Sequence, residues 1–266
     1  MVDMDMKMLD YLHRNCPDSV FLKAINLNRV LHGKERVRYD HISKDYWVIH
    51  YPGFDLHTPS SRWIYSGLDR FSSRFEKFFK IMPGDVCVDI GACIGDTSLP
   101  MAIKTGESGK VFAFEPLPSN LKFLELNLKG YSNVKIIPKA IADRDGSLTF
   151  YLHSVPTGHS LAPLSEFGVG ETEVDCISLD KVLDIVGGKV DFCKFDVQGF
   201  EINILKATHK FFDNVDKFVI GVHDLFTVNR TDIGALDVLK KYGGFDFVNF
   251  SWDHGAGYVY AAKKGV

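Results

Sequence analysis

The residues with the clearest chemical signal form a glycine-rich turn between a short apolar run and a helical segment. The turn is Gly91–Gly95 (GACIG), and the apolar run before it, Val86–Ile90, carries Asp89. In an open α/β sheet, ligands bind beyond the carboxyl ends of the strands, where glycines let the backbone approach them closely. We therefore predict that this turn belongs to a cofactor site.

A second acidic residue, Glu115, follows the next apolar run, Lys110–Phe114. A carboxylate at a strand end can accept both hydrogen bonds of a ribose diol, as the acidic residue of the dinucleotide fingerprint does. The turn lacks the middle glycine of that fingerprint, and Asp89 beside it would repel a pyrophosphate. A carboxylate there suits a cationic ligand, such as the amino-acid end of S-adenosylmethionine. An NAD(P)-dependent oxidoreductase stays the alternative enzyme class.

These side chains need a sheet to position them. Strand-like runs alternate with helical segments, and this alternation predicts a doubly wound parallel sheet with helices on both sides. The runs are Val86–Ile90, Lys110–Phe114, Val134–Ile137, Asp191–Phe195 and Phe218–Val222. Two further runs, Phe245–Phe250 and Tyr258–Ala262, joined by a hairpin signal, predict a last strand that is antiparallel to its neighbours.

The helices are predicted from their spacing and caps. Asp96 or Thr97 is a candidate cap for the helix after the glycine turn, and Ser119 is one for the helix after Glu115. Further helices are expected over about 179–186 and around 202–207.

The 266 residues allow one elaborated domain or a domain with an appendage. We assign 81–266 to the cofactor-binding domain, with an insertion at about 145–178 that contains extended pieces at Ser147–Leu152 and Thr172–Ile177. We interpret residues 1–80, with a helix around Val20–Leu31 and a strand-like Tyr46–His50, as an N-terminal cap region.

Charge and composition restrict the partners. The chain has 31 basic and 34 acidic residues, and a net charge of −3 argues against a nucleic-acid partner and for a small-molecule acceptor. No apolar run approaches the roughly 20 residues that a membrane span needs, and residues 1–7 lack a signal-peptide pattern, so a cytoplasmic protein is expected. The five cysteines contain no CxxC pair, and no metal site is indicated. The oligomeric state stays open.

Six blocks of the sequence resemble the FkbM-type S-adenosylmethionine-dependent methyltransferases, in family order and over roughly residues 81–225. They are VDIGACIG (Val88–Gly95), FAFEP (Phe112–Pro116), NV…KAIAD (Asn133–Asp143), VDCISLD (Val174–Asp180), KFDVQGFE (Lys194–Glu201) and GVH (Gly221–His223). The resemblance implies a class I methyltransferase (Rossmann-like) fold with seven strands, the last antiparallel. It also implies S-adenosyl-L-methionine as cofactor and methyl transfer, usually to a hydroxyl of a small metabolite or sugar.

The resemblance also implies roles for single residues. The methionine part of the cofactor would be lined by Asp89, Gly91, Ala92 and Gly95. The ribose would be held by Glu115 with Pro116, and the adenine by Ala140 with Ile141. The family usually has Asn where Cys93 stands and Glu where Gln198 stands. Because Gln198 lacks the charge of Glu, a catalytically inactive cofactor-binding module stays a third alternative.

Asp196 and His223 follow adjacent predicted strands and are the candidate catalytic residues. Methyl transfer to a hydroxyl depends on positioning, and a base need only remove the hydroxyl proton. An imidazole titrates near neutrality, so His223 is the better base, and Asp196 would orient the substrate, the cofactor or His223. Lys194 shares a strand face with Asp196 and either touches substrate or pairs with an acid inside the fold. We interpret Glu201 as compensating a helix dipole.

Overall fold

The computed structural model describes residues 11–12, 15–31, 33–61, 71–72, 74–153, 158–162, 168–222, 231–242, 244–253 and 256–265. The chain folds as two compact units, residues 1–71 and 72–266. The smaller unit contains α1 (Asp18–Leu31) and an antiparallel sheet of β1 (Arg38–Ser43), β2 (Tyr46–Tyr51) and β3 (Phe54–Thr58). The expected helix and the expected strand near Tyr46 are confirmed, whereas β1 and β3 were not predicted. The role of the N-terminal region as a cap stays a prediction.

The larger unit alternates strands and helices as the sequence predicts. Its elements in chain order are β4 (Val86–Ile90), α2 (Ser98–Thr105), β5 (Lys110–Phe114), α3 (Pro118–Leu128), β6 (Val134–Ile137), β7 (Ala140–Ala142), β8 (Gly146–His153), β9 (Gly168–Ser178), α4 (Leu179–Val186), β10 (Val190–Phe195), α5 (Glu201–Lys206), α6 (Lys210–Asp213), β11 (Val215–Val222), α7 (Thr231–Tyr242), β12 (Phe247–Asp253) and β13 (Ala256–Ala262).

Within the described residues, seven of these strands form one sheet in the order β12-β13-β11-β10-β4-β5-β6. The pairs β11-β10, β10-β4, β4-β5 and β5-β6 are parallel. Strand β13 is antiparallel to both of its neighbours, which confirms the expected last strand. The central parallel strands β4, β5, β10 and β11 are buried on both faces, and for this reason they read as short apolar runs in the sequence, whereas the edge strand β6 is partly exposed. Their carboxyl ends form one edge of the sheet.

The insertion is built on a second sheet, in which β9 lies between β7 and β8. Strand β9 pairs antiparallel with β8 and parallel with β7, so the two predicted extended pieces are confirmed. Strand β7 was not predicted, because three residues are too few to show a periodicity.

Helix α7 was also not predicted. It contains Gly234, a poor helix former that weakens the sequence signal. A Cβ at Gly234 would lie 2.7 Å from Ile202 Cδ1, so the glycine allows α7 to pack closely against α5. In the described part of the chain, no helix is long and apolar enough to cross a membrane.

Candidate cofactor-binding and active site

The glycine turn lies tightly against the end of β10. Gly91 has φ of 74°, and a Cβ built on it would lie 2.0 Å from the backbone oxygen of Asp196. Gly95 has φ of 89°, and its Cβ would lie 2.8 Å from Leu124 Cδ1. Glycine is therefore required at both positions, first of all by the approach of other parts of the protein itself.

Most N–H groups of the turn donate hydrogen bonds within the protein. Gly91 N and Ala92 N both donate to Phe114 O, at 3.1 and 2.9 Å. Cys93 N donates to Glu115 Oε2 at 3.0 Å, and Gly95 N donates to Ala92 O at 2.8 Å. A pyrophosphate is held by such N–H groups at a helix N-terminus. The N–H groups of this turn already donate to acceptors within the protein, and this disfavours binding of a dinucleotide.

The Asp89 carboxylate is enclosed at the start of α2. Asp89 is fully buried, and its Oδ2 accepts hydrogen bonds from Thr97 Oγ1 and Ser98 Oγ, both at 2.6 Å. The helix N-terminus, which favours a negative charge, thus faces a carboxylate of the chain itself. Thr97 is the N-cap residue of α2, as expected, but its hydroxyl binds Asp89 and does not cap the helix.

Lys194 is the partner of Asp89. The ammonium nitrogen lies 3.1 Å from Asp89 Oδ1 and donates to the carbonyl oxygens of Gly91 (2.7 Å) and Ile90 (3.2 Å). Burial by itself lowers the pKa of Lys194, but the carboxylates of Asp89 and Asp196 outweigh it, and the pKa is raised. The interpretation of Lys194 as one half of an ion pair inside the fold is confirmed.

Glu115 joins β5, α3 and the glycine turn. Its side chain is 4% exposed; Oε1 accepts from Leu117 N (2.9 Å) and Asn120 Nδ2 (3.2 Å), and Oε2 accepts from Cys93 N. Burial raises the pKa of Glu115 to about 7, against the effect of these three donors. A carboxylate has about four lone-pair sites, so three donors do not exhaust its capacity.

The predicted helix cap at Ser119 is wrong. Helix α3 begins at Pro118, and Leu117 is its N-cap residue. Proline suits the first helical position because its missing N–H needs no partner there. The N–H of Asn120, one of those that a capping side chain would bind, donates to Leu117 O at 3.0 Å.

The predicted adenine residues lie next to the strand end that carries Glu115. Glu115 N donates to Ile137 O at 3.2 Å, three residues before Ala140. Ala140 and Ile141 are 6% and 2% exposed, and Ala140 packs in one cluster with Leu117. The residues assigned to ribose and adenine therefore belong to one neighbourhood, with Pro116 half-buried beside Glu115.

The loop after β10 carries Asp196 and Gln198. Asp196 N donates to Ile90 O at 3.1 Å, which extends the pairing of β10 with β4. Gln198 has φ of 58° and donates from Nε2 to Asp196 Oδ1 at 2.7 Å. Both residues are half-buried. Gln198 thus holds the carboxylate of Asp196 in one orientation.

The insertion reaches this loop through a contact that the sequence did not reveal. Ser160 is fully buried, and its hydroxyl donates to Val197 O at 3.2 Å. His159 beside it accepts a hydrogen bond on Nδ1 from His153 N at 2.8 Å. Burial, with a smaller contribution from His153, lowers the pKa of His159. The insertion therefore borders the loop of the candidate catalytic Asp196.

Two other candidates have different outcomes. Glu201 is fully buried in the first turn of α5, so its placement at a helix N-terminus is confirmed. Gly199 N donates to its carboxylate and lies 2.9 Å from Oε2 and 3.1 Å from Oε1. His223 lies outside the described residues. The strand before it, β11, ends at Val222 next to β10, at the same edge of the sheet.

A seven-stranded, mostly parallel sheet with one antiparallel strand, and a glycine turn at the carboxyl end of a central strand, is the architecture of the class I methyltransferases. The model of the methyltransferase FkbM domain matches residues 89–247. The chain therefore belongs to the FkbM methyltransferase family, as its sequence blocks indicated.

Several solved structures are similar to this chain, and the first of them supports the fold. Methyltransferase FkbM from Methylobacillus flagellatus has 18% identity and a TM-score of 0.52 over 72% of this chain, and the match spans only 47% of that protein. An S-adenosylmethionine-dependent O-methyltransferase from Thermotoga maritima has 18% identity, a TM-score of 0.45, and coverage of 81% and 77% of the two chains. A putative rRNA methylase from Clostridium thermocellum has 13% identity, a TM-score of 0.48, and coverage of 74% and 96%. No curated protein matches the sequence significantly.

Proposed function

We propose that the protein transfers a methyl group from S-adenosyl-L-methionine to a hydroxyl of a small molecule. The observation that carries this proposal is the surroundings of the glycine turn. Most of its N–H groups donate hydrogen bonds inside the protein, and three carboxylates surround it. These are Asp89, Glu115 and Asp196, and Lys194 is the buried cation among them. A site of this kind disfavours a pyrophosphate and favours a cation.

The residues present fit this cofactor. Gly91, Ala92 and Gly95 would shape the backbone that faces its methionine part, with Asp196 as the carboxylate at the neighbouring strand end. Asp89 would support the same part through the turn, because its own oxygens are bound to Thr97, Ser98 and Lys194. Glu115 with Pro116 would hold the ribose, and Ala140 and Ile141 the adenine.

When bound, the cofactor supplies a methyl group activated by a positively charged sulfur. The protein then has to orient one hydroxyl and accept its proton. We assign orientation to Asp196, which Gln198 holds at 2.7 Å, and acceptance of the proton to His223. The small-molecule acceptor follows from the absence of a basic excess, since the net charge is −3.

The two other functions are less well supported. A nicotinamide-dependent oxidoreductase would need N–H donors for pyrophosphate, which the turn has already used. An inactive module was suggested by Gln198, but this amide makes a 2.7 Å hydrogen bond to Asp196 and so serves the site.

Calorimetric titration with S-adenosylmethionine, S-adenosylhomocysteine and NAD tests the cofactor. We expect binding of the first two, loss of that binding in Glu115→Ala, and wild-type binding in Glu107→Ala, a control at an exposed carboxylate. Binding of NAD alone would refute the proposal.

Turnover on a panel of hydroxylated metabolites tests the reaction. We expect methyl ether products and, in His223→Ala, a turnover rate lowered by about a hundredfold or more with cofactor affinity unchanged. Cofactor binding without turnover on any acceptor would support the inactive module.

A further inference from the structure

The buried ammonium of Lys194 lies directly beneath the glycine turn. Lys194 is 4% exposed, and three oxygens surround its nitrogen: Gly91 O at 2.7 Å, Asp89 Oδ1 at 3.1 Å and Ile90 O at 3.2 Å. All three belong to the end of β4 or to the turn itself. One side chain of β10 therefore holds the point where β4 becomes the turn.

The turn needs such a support because its backbone is strained at Cys93. Gly91 adopts its φ of 74° freely, but Cys93 has a φ of 52° and is one of two non-glycine residues with positive φ in the described residues. A backbone in this region persists only where the surroundings impose it. Asp89 Oδ1 is buried and takes no hydrogen bond of good geometry from the described residues, so the ammonium is also what balances its charge there.

We propose that Lys194 is the positioning residue of the cofactor turn: it fixes the carbonyl groups of Ile90 and Gly91 and thereby sets the affinity for the cofactor without touching it. The part that concerns affinity rests on the proposed function. The part that concerns the order of the turn does not.

The chain offers a matched control in Lys217. This lysine is 6% exposed, lies on the neighbouring strand β11, and binds a carbonyl and a carboxylate as Lys194 does: Lys80 O at 3.0 Å and Asp85 Oδ2 at 3.5 Å. Its contacts lie at the opposite end of the sheet from the turn. Removing the Lys194 ammonium leaves the buried Asp89 without its cation, and removing that of Lys217 leaves the half-buried Asp85 without its own, but only Lys194 supports the turn.

The experiment compares Lys194→Met with Lys217→Met. The first readout is the rate at which a thiol reagent labels Cys93, resolved from the other cysteines by peptide mass spectrometry, with no cofactor present. The Cys93 side chain is partly exposed, and its surroundings, first burial and then the charge of Glu115, raise the pKa of the thiol well above its usual range, so it reacts slowly while the turn keeps its conformation. The second readout is the calorimetric affinity for S-adenosylhomocysteine.

In Lys194→Met we expect the thiol reagent to label Cys93 at least about tenfold faster than in the wild type. We also expect the affinity for S-adenosylhomocysteine to be at least about tenfold weaker. In Lys217→Met we expect both quantities within about twofold of wild type, although its melting temperature also falls. Equal labelling of Cys93 in the two variants would overturn the inference. If the wild type binds no S-adenosylhomocysteine, the proposed function fails, and the labelling rate still decides the role of Lys194.

The double variant Asp89→Asn/Lys194→Met separates positioning from charge balance, and it also serves if Lys194→Met does not fold. It removes the unpaired buried carboxylate, so the fold is expected to recover stability. The carbonyl of Gly91 still lacks its donor, and that of Ile90 keeps only the hydrogen bond from Asp196 N, so we expect rapid labelling of Cys93 to persist. Labelling at the wild-type rate would mean that Lys194 merely neutralises Asp89, and the positioning role would be wrong.

Discussion

If Glu115 holds the ribose as we propose, its raised pKa makes cofactor affinity depend on pH. The pKa is about 7 in the protein without ligand, because the carboxyl group is buried. Ribose hydroxyls donate to the ionised carboxylate, so below pH 7 a proton must leave when the cofactor binds. If binding returns the pKa to its ordinary value of 4.5, the affinity falls about tenfold per pH unit below 7.

Between pH 8 and pH 5 this amounts to about 70-fold, or roughly 2.5 kcal/mol of binding free energy. The stability of the unliganded fold changes in the opposite direction. The folded protein takes up the proton near pH 7 and the unfolded chain only near 4.5, so Glu115 contributes about 3 kcal/mol that is present below pH 4.5 and is lost as the pH rises to 7. Tighter binding and lower stability at high pH together identify this group.

Calorimetry of S-adenosylhomocysteine from pH 5 to pH 8, with urea denaturation at each pH, measures both effects. Glu115→Gln cannot ionise and should lose both slopes. Glu76→Gln, which alters another buried carboxyl group, should keep the slope in affinity. An affinity that is constant over this pH range in the wild type, or an equal slope in Glu115→Gln, would refute the assignment of Glu115 to the ribose.

Three further substitutions test single features. Gly91→Ala places a Cβ 2.0 Å from Asp196 O at φ of 74° and should lower the free energy of unfolding by about 2–4 kcal/mol; a urea midpoint unchanged from wild type would contradict this. Cys93→Asn should raise that free energy by about 0.5–1 kcal/mol, because asparagine tolerates φ of 52° better, and a destabilised variant would count against it. Asp40→Asn removes a hydrogen bond that raises the pKa of His50, so the midpoint of the NMR titration of His50 should move to lower pH. The stabilisation that is lost as the pH rises through this pKa should then be lost at a lower pH than in the wild type.

The central parallel strands could be predicted closely because burial on both faces leaves a short apolar run. The bounds of β4, β5 and β6 agree with the runs predicted from the sequence. Each run is followed directly by a turn residue or an acidic residue. Helix α7 escaped prediction because Gly234 weakens its propensity, although close packing against Ile202 requires that glycine. Local propensity and tertiary packing make opposite demands at this position, and packing prevails.

The sequence placed three carboxylates at the carboxyl ends of the strands, but it did not show what binds them. Asp89 and Lys194 lie far apart in the chain and meet because β10 pairs with β4 in a register that places them side by side. A lysine inside the apolar run VDFCKF did contain a signal, since a buried ammonium requires an acidic partner. Choosing Asp89 as that partner required the strand order, which spacing alone does not give.

The replacement of the family's usual Glu by Gln198 has a physical reason in this arrangement. Nε2 of Gln198 lies 2.7 Å from Asp196 Oδ1. Two carboxylates at that distance would repel each other or share a proton, whereas an amide donates a hydrogen bond and adds no charge. Lys194 already balances Asp89, and the charge of Glu115 depends on pH near neutrality. Holding Asp196 with a neutral donor therefore orients this carboxylate without cancelling the negative charge that a cationic cofactor requires.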